Sequence, residues 1–202
     1  MQQIISQFLH DIHQTTWLEF IAVITGIASV LYSRKENILV YPVGMVSTGI
    51  FVLIYVTHGL YADASVNFYY TVMSIIGWIM WARKAEGKSV LSITPSSKSD
   101  WVKSIIFFLG CWIVLYFLLS RYTDSVVPVA DSFTSAAAYT GMWLMNKKKL
   151  ENWTWWIITD LASVPLNFYK HLVFTSFQYL VFLIIALMGY ISWRKKIQHV
   201  AA

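Results

Sequence analysis

The chain has 202 residues, of which 57% are hydrophobic and only 12% are charged, and its mean hydropathy is +0.58. Soluble domains carry about 25% charged residues, so this composition excludes a soluble globular protein and indicates an integral membrane protein. The net charge of +5 does not indicate nucleic-acid binding, because the basic residues lie in short loops beside apolar segments.

The first sixteen residues are amphipathic rather than membrane-spanning. Ile4, Phe8 and Ile12 recur at helical spacing, and this stretch contains no Lys or Arg, so it lacks the basic region that opens a secretory signal. We therefore expect residues 1–16 to form a short amphipathic helix that lies on the membrane surface.

Seven apolar segments follow, and each is long enough, or nearly so, to cross about 30 Å of hydrocarbon. They cover residues 17–33, 37–57, 62–82, 101–120, 128–146, 152–170 and 174–193. No extended strand alternation is present, and a lipid-exposed open sheet is excluded because its backbone groups would find no partner. The sequence therefore predicts an all-α integral membrane bundle of seven transmembrane helices.

The basic residues indicate the orientation of these segments. Thirteen of the fifteen Lys and Arg residues fall in the loops after segments 1, 3 and 5 or in the tail after segment 7. Only Arg121 and Lys170 fall on the other side. Because short basic loops stay in the cytoplasm, we expect the N-terminus outside and the C-terminus in the cytoplasm. An odd number of spans agrees with this orientation.

A motif shared by two distant stretches indicates an internal repeat. Gly77-Trp78-x-x-Trp81 aligns with Gly189-Tyr190-x-x-Trp193, and residues 58–70 align with residues 170–182. The difference in residue number is the same in both alignments, and we call it the repeat offset. Segments 1–3 and 5–7 both start outside and end inside, so the halves would be parallel copies joined by one inverting helix, and substrate would bind between them near mid-membrane. The predicted organisation is a surface helix at 1–16, a first three-helix repeat at 17–82, a linker with the inverting span at 83–127, and a second three-helix repeat at 128–196.

Segment 6 combines two tryptophans and an acid on one stripe. Trp153, Trp156 and Asp160 are at positions i, i+3 and i+7, so they share one face of a helix. An acid in hydrocarbon is costly and normally faces a polar cavity or a partner. Such a stripe suits a flat, cationic, polar-substituted solute. Alternatively, the tryptophans form an interfacial belt and Asp160 hydrogen-bonds a neighbouring helix.

Other polar side chains within the segments are few. They include Asn67 and Tyr70 in segment 3, Asn167 in segment 6 and Gln178 in segment 7. The repeat places Asn67 within one residue of Gln178, so both halves offer an amide that can bind hydroxyl or carboxamide groups; helix–helix hydrogen bonding is the alternative. The sequence has no glycine-rich phosphate loop, Cys/His cluster or GxSxG elbow, so we expect no catalysis, no cofactor and no metal.

These features resemble the PnuC-type vitamin transporters. The resemblance rests on the seven segments in a 3+1+3 parallel repeat, the Asn67/Tyr70 pair, the sequence NWTWW at 152–156 and the ending GYISW at 189–193. It covers the chain after about residue 17. It implies a transporter of nicotinamide riboside in the bacterial inner membrane, with a fold like a full-length SWEET sugar transporter and a homotrimeric assembly. It also implies facilitated diffusion, with the substrate trapped by phosphorylation in the cytoplasm.

The resemblance leaves the vitamin open, since relatives carry thiamine or other vitamins on the same scaffold. Nicotinamide riboside has a pyridinium ring and thiamine a thiazolium ring, and an acid suits either cation. A non-transporting scaffold or sensor is a more distant alternative. The predicted substrate-binding residues are Trp153, Trp156, Asp160, Asn67, Tyr70, Gln178 and Asn167. Among them, we expect the tryptophans to hold the ring, the acid and amides to bind carboxamide and ribose groups, and Tyr70 to close the site from the other half.

Overall fold

The computed structural model describes residues 16–57, 61–85, 88–89, 91–170 and 172–201. Apart from residue 16, the surface helix expected at 1–16 lies outside the described residues. Within the described part of the chain, the structure contains seven helices and one short antiparallel hairpin. The helices are α1 (Trp17–Arg34), α2 (Val40–Thr57), α3 (Tyr61–Ala82), α4 (Lys98–Tyr122), α5 (Pro128–Asn146), α6 (Asn152–Tyr169) and α7 (Val173–Ala201), and the strands are β1 (Lys84–Ala85) and β2 (Lys88–Ser89).

The predicted helix boundaries lie within a few residues of those in the structure, except at the end of α7. Helix α4 starts slightly earlier than predicted because Ser97 caps it: the Asp100 amide donates to Ser97 Oγ at 3.2 Å, and the Ser97 amide donates to Asp100 Oδ2 at 3.0 Å. Helix α7 continues well beyond residue 193, and Ile197 in this extension packs against the main hydrophobic core. Tertiary packing therefore extends α7 past the end of its apolar segment.

Four of the described helices, α1, α2, α4 and α7, are long and apolar enough to cross a membrane by length and composition. The other three carry polar and small residues that face the interior of the bundle. Helix α6, for example, buries Thr159, Asp160 and Ser163 among its larger side chains. The seven predicted helices are confirmed, four of them qualify as candidate membrane spans, and the less apolar helices are those that supply the interior.

The helices pack in an order that closes a ring. Within the first group, which comprises α1, α2 and α3, α1 packs on α2 and α2 on α3. Within the second group, which comprises α5, α6 and α7, α5 packs on α6 and α6 on α7. Between the groups, α1 packs on α7 and α3 on α5. Helix α4 stays beside the ring against α5, and its Phe108 contacts Trp155 of α6 with ring centroids 5.0 Å apart. The interior of this six-helix ring is the space in which the two groups face each other.

The main aromatic core lies where α3 and α7 meet the starts of α2 and α6. The rings of Tyr41 and Trp81 meet edge to face at 5.2 Å, and those of Trp153 and Trp193 meet in the same way at 5.6 Å. Each member of the second pair lies one repeat offset beyond its counterpart in the first. The same contact is thus made once in each group.

Two glycines make these ring contacts possible. A Cβ atom on Gly189 would lie 2.6 Å from the Trp153 ring, and a Cβ on Gly77 would overlap the Tyr41 ring. Because the obstructing atoms belong to large buried rings, neither glycine can be replaced without displacing the core. The glycines that open the shared sequence motif therefore have a packing role at equivalent places in the two groups.

Candidate functional site

One end of the ring carries bonds that join the two helix groups. We call it the basic end; it comprises the α1–α2 turn at 35–39, the α5–α6 turn at 147–151 and the adjoining parts of α3 and α7. Here Trp81 Nε1 donates to the Asn146 carbonyl at 3.2 Å, and Trp193 Nε1 donates to the Arg34 carbonyl at 3.2 Å. Each tryptophan thus binds the end of a helix in the opposite group, and both the donors and the acceptors are again related by the repeat offset.

An ion pair between the groups continues this pattern. Lys148 Nζ lies 2.8 Å from Glu36 Oε1, and these two residues are also related by the repeat offset. Both have a positive φ, 59° for Glu36 and 51° for Lys148, in the turns that follow α1 and α5. Lys196 binds the other Glu36 oxygen at 3.1 Å. Burial by itself raises the pKa of Glu36, but the bonds from the two lysines outweigh burial and lower it.

Asn146 adds a third connection at the basic end. Its side chain is buried, with 1% of its surface exposed, and its Nδ2 donates to the Met73 carbonyl at 2.9 Å. The Tyr41 hydroxyl donates to Asn146 Oδ1 at 3.1 Å. Because Tyr41 and Met73 belong to the first group and Asn146 to the second, this amide closes the basic end across the interface.

Deeper in the ring, four aromatic side chains from three helices form a wall between the groups. Tyr69 and Tyr70 come from α3, Tyr139 from α5 and Trp156 from α6. The Tyr69 and Tyr139 ring centroids are 4.0 Å apart, and Tyr70 lies 5.8 Å from Tyr139 and 6.5 Å from Trp156. The Tyr69 hydroxyl also donates to the Tyr139 carbonyl at 3.4 Å. Two of these residues, Tyr70 and Trp156, were predicted site residues.

Asp160 lies one helical turn beyond Trp156, near the middle of α6. Its side chain is 3% exposed, and no hydrogen bond or ion pair reaches its carboxylate from the described residues. The Tyr70 ring of the first group lies 6.5 Å from the ring of Trp156, one turn before Asp160. A buried carboxyl group without a partner is costly, so this position is suited to bind a polar or cationic group of a ligand.

The structure separates the two predicted tryptophans. Trp153 is seven residues from Asp160, or about 10 Å along the helix, and it lies inside the aromatic core against Trp193, whereas Trp156 and Tyr70 are partly buried residues that pack against this core. It is 1% exposed, and its Nε1 has no acceptor among the described residues. Trp156 is only partly buried and contacts Tyr70.

The predicted amides lie on the other side of the wall from the basic end. Asn67 is one turn from Tyr70 on α3 and is half-buried. Asn167 Nδ2 donates to the Ser163 carbonyl at 2.8 Å, which is a bond within α6. Gln178 is half-buried near the start of α7. Their roles in binding stay a prediction.

Sequence reasoning missed three residues of this region, Tyr69, Tyr139 and Gly141. The last two follow the small residues Ala136, Ala137 and Ala138 on α5. Such a run indicates close helix packing, but it does not identify which side chain lies opposite. Within the described residues, no three His, Cys, Asp or Glu side chains come together as a metal site.

Comparison with known proteins decides the family. The sequence model of the "Nicotinamide mononucleotide transporter" family matches residues 16–195. The chain belongs to this family. The nicotinamide riboside transporter PnuC of Escherichia coli (strain K12) is 23% identical over 90% of this chain and 86% of its own length. The riboflavin/roseoflavin transporter RibM of Streptomyces davaonensis is 22% identical over 88% of this chain and 84% of its own.

A solved structure supports the fold of this family member. The crystal structure of the vitamin B3 transporter PnuC matches 97% of this chain and 88% of its own, with a TM-score of 0.73 and 21% sequence identity. The resemblance to PnuC-type transporters that the sequence indicated is confirmed. The chain is a multi-pass membrane transporter by family.

Proposed function

We propose that the protein takes up nicotinamide riboside across the bacterial inner membrane. The observation that carries this proposal is Asp160, a buried acid with no partner among the described residues, one helical turn from Trp156, whose ring meets Tyr70 at the interface between the two helix groups. A pyridinium ring against an aromatic face gains about 0.5–2 kcal/mol, and a nearby carboxylate adds charge complementarity. The family match and the name of the E. coli relative support the same substrate.

In this proposal the rings of Trp156 and Tyr70 hold the pyridinium, and Asp160 complements its charge. The amides of Asn67 and Gln178, with Asn167, bind the carboxamide and ribose groups. Trp153 lies behind this set toward the basic end, where its Nε1, which has no acceptor within the described chain, is a donor for a substrate group that reaches it. The site needs no cofactor or metal, because transport forms and breaks no covalent bond.

We also propose the 3+1+3 arrangement, with residues 17–82 and 128–196 as parallel repeats and α4 as the inverting span between them. It is supported by the contacts that recur at the repeat offset: Tyr41–Trp81 with Trp153–Trp193, and Trp81–Asn146 with Trp193–Arg34. The basic end would then face the cytoplasm and the N-terminus the outside.

Alternating access would be a rocking of the two three-helix groups about the site. In this arrangement the basic end is closed by the Glu36–Lys148 ion pair and the Asn146 bonds, so release into the cytoplasm requires these contacts to part. The process is facilitated diffusion with cytoplasmic phosphorylation as the trap, and the protein is a homotrimer in the lipid bilayer. The family resemblance supports these last points.

The decisive experiment is uptake of labelled riboside by proteoliposomes, including counterflow. Trp156→Ala and Asn67→Leu should abolish uptake while the protein is still inserted. Trp78→Ala is the matched control, because Trp78 is 42% exposed on the outside of α3 and should transport normally. Uptake at the wild-type rate by Trp156→Ala would remove that residue from the site. A scaffold or sensor would show no counterflow in any variant.

A second vitamin on the same scaffold is the other candidate, and the relationship to a riboflavin transporter favours considering it. Riboflavin has a neutral ring, whereas riboside and thiamine rings are cationic. Titration of purified protein with all three vitamins separates them. We expect Asp160→Asn to weaken riboside binding, whereas a site built for a neutral ring would tolerate it.

A further inference from the structure

We propose that Gly141 is a positioning residue that determines substrate-ring size, because its missing side chain lets the Trp156 indole lie against α5. The inference deepens the proposed function, in which Trp156 is a wall of the site. Gly141 acts through the indole of Trp156.

The backbone at Gly141 lies close to one edge of the Trp156 indole. A Cβ built on Gly141 would lie 3.2 Å from Trp156 Cε2 and 3.3 Å from both Cδ2 and Nε1. These distances are shorter than normal carbon contacts, so the indole would have to shift by a few tenths of an ångström. Because all three atoms belong to one rigid ring, it must move as a unit, away from α5.

The equivalent layer of the first group, meaning the pair of positions that corresponds to Gly141 and Trp156, has its glycine on the other helix. Shifting Gly141 and Trp156 back by the repeat offset gives Ser29 and Gly44. There the glycine is on α2, and a Cβ on Gly44 would lie 2.9 Å from Ser29 Oγ, whose hydroxyl donates to the Val40 carbonyl at 2.8 Å. The aromatic core next to this layer is duplicated in the two groups, but this layer is not. Of these two equivalent layers, the one in the second group therefore contains the large ring, the Trp156 indole, and this ring packs against a glycine.

The consequence is that the backbone of α5 sets the position of the Trp156 ring from behind. Trp156 has α5 on one side and Tyr70, at 6.5 Å between centroids, on another. Any atom added at Gly141 displaces the indole from its place, which changes its distance and tilt relative to Tyr70. A substrate ring that packs against these two side chains would lose contact with them, and a larger substrate ring would lose more contact.

The test is the binding of nicotinamide riboside to the purified protein in detergent. Binding is measured by tryptophan fluorescence quenching and by calorimetry. Gly141→Ala should raise the Kd about tenfold, which corresponds to a loss of about 1.4 kcal/mol of contact between the displaced Trp156 ring and the substrate. Gly49→Ala and Gly110→Ala are matched controls, because nothing lies within 4 Å of a Cβ at either position. Both controls should bind like the wild type.

Rescue distinguishes positioning from general damage. Phenylalanine is smaller than tryptophan, so it leaves room for the added methyl group. Gly141→Ala should therefore have no effect on the Kd when it is introduced into a Trp156→Phe background. The thermal midpoint of the ligand-free Gly141→Ala protein should change little, because the partly buried Trp156 ring can shift and alanine is a better helix former than glycine.

Two results would overturn the inference. One is an unchanged Kd in Gly141→Ala alone. The other is a tenfold loss of affinity when the alanine is added to Trp156→Phe, which is measured by comparing the double variant with Trp156→Phe and needs no Gly141→Ala protein. Failure of the proposed function is separate: if the wild type binds another vitamin and not riboside, the same variants are titrated with that vitamin.

Discussion

Asn146 provides the sharpest test of how the two helix groups are joined. In Asn146→Leu the side-chain bonds to Met73 and Tyr41 are lost, while the backbone carbonyl still accepts from Trp81. The lost bond to Met73 is worth about 1 kcal/mol, and losing the bond to Tyr41 leaves a hydroxyl unsatisfied on a residue with 0% exposure, which costs about 1–3 kcal/mol. The free energy of unfolding should therefore fall by about 2–4 kcal/mol.

The second half of this test is a double variant. Tyr41→Phe removes the stranded hydroxyl, so Asn146→Leu/Tyr41→Phe should be more stable than Asn146→Leu alone. The assay is reversible unfolding in mixed micelles of a mild detergent and dodecyl sulfate. Tyr116→Phe, on the exposed face of α4, is the control and should change nothing. If Tyr41→Phe lowers the stability of Asn146→Leu further, the hydrogen-bond argument is wrong.

Three further predictions concern charge and packing. Because the bonds from two lysines lower the pKa of Glu36, its charge contributes stability above the unfolded pKa of about 4.3, and this is lost as the pH falls through the folded pKa. Glu36→Gln should remove that part of the pH dependence of the thermal midpoint. Lys148→Met should reduce it, because Lys196 still binds Glu36, and an unchanged profile in both variants would contradict the role of the ion pair. Gly189→Ala should fail to yield folded protein by size-exclusion chromatography because of the indole that faces it, whereas Gly110→Ala should elute normally. Asp160→Asn should raise the Kd for riboside about tenfold or more, measured by calorimetry, and a Kd equal to that of the wild type would exclude a charge contribution.

Much of the fold follows from local sequence, because bilayer thickness fixes the length of an apolar helix. The segment at 128–146 matches α5 at both ends, and the segment at 152–170 matches α6 to within a residue. The tail of α7 was not predicted, since its packing against the core involves residues far apart in the chain.

The candidate site was predictable only in part. The stripe of Trp153, Trp156 and Asp160 was correctly predicted as one face of a helix, but neighbouring helices cover different turns of that face. Trp153 is covered by α7 and lies in the core, whereas Trp156 rests on α5 and contacts Tyr70. Periodicity gives the direction of a side chain, and it carries no information about the tilt and depth of the helix opposite.

The sequence by itself therefore determined the membrane class, the helices, most of their boundaries and the family, because each depends on hydropathy, capping or motif within a short stretch of chain. The tertiary structure decided which aromatic groups meet at the interface, that Asn146, Glu36 and Lys148 join the two groups, and that Gly141 lies beneath Trp156. These are contacts between residues that are distant in sequence, and only the packing of helix against helix brings them within reach of one another.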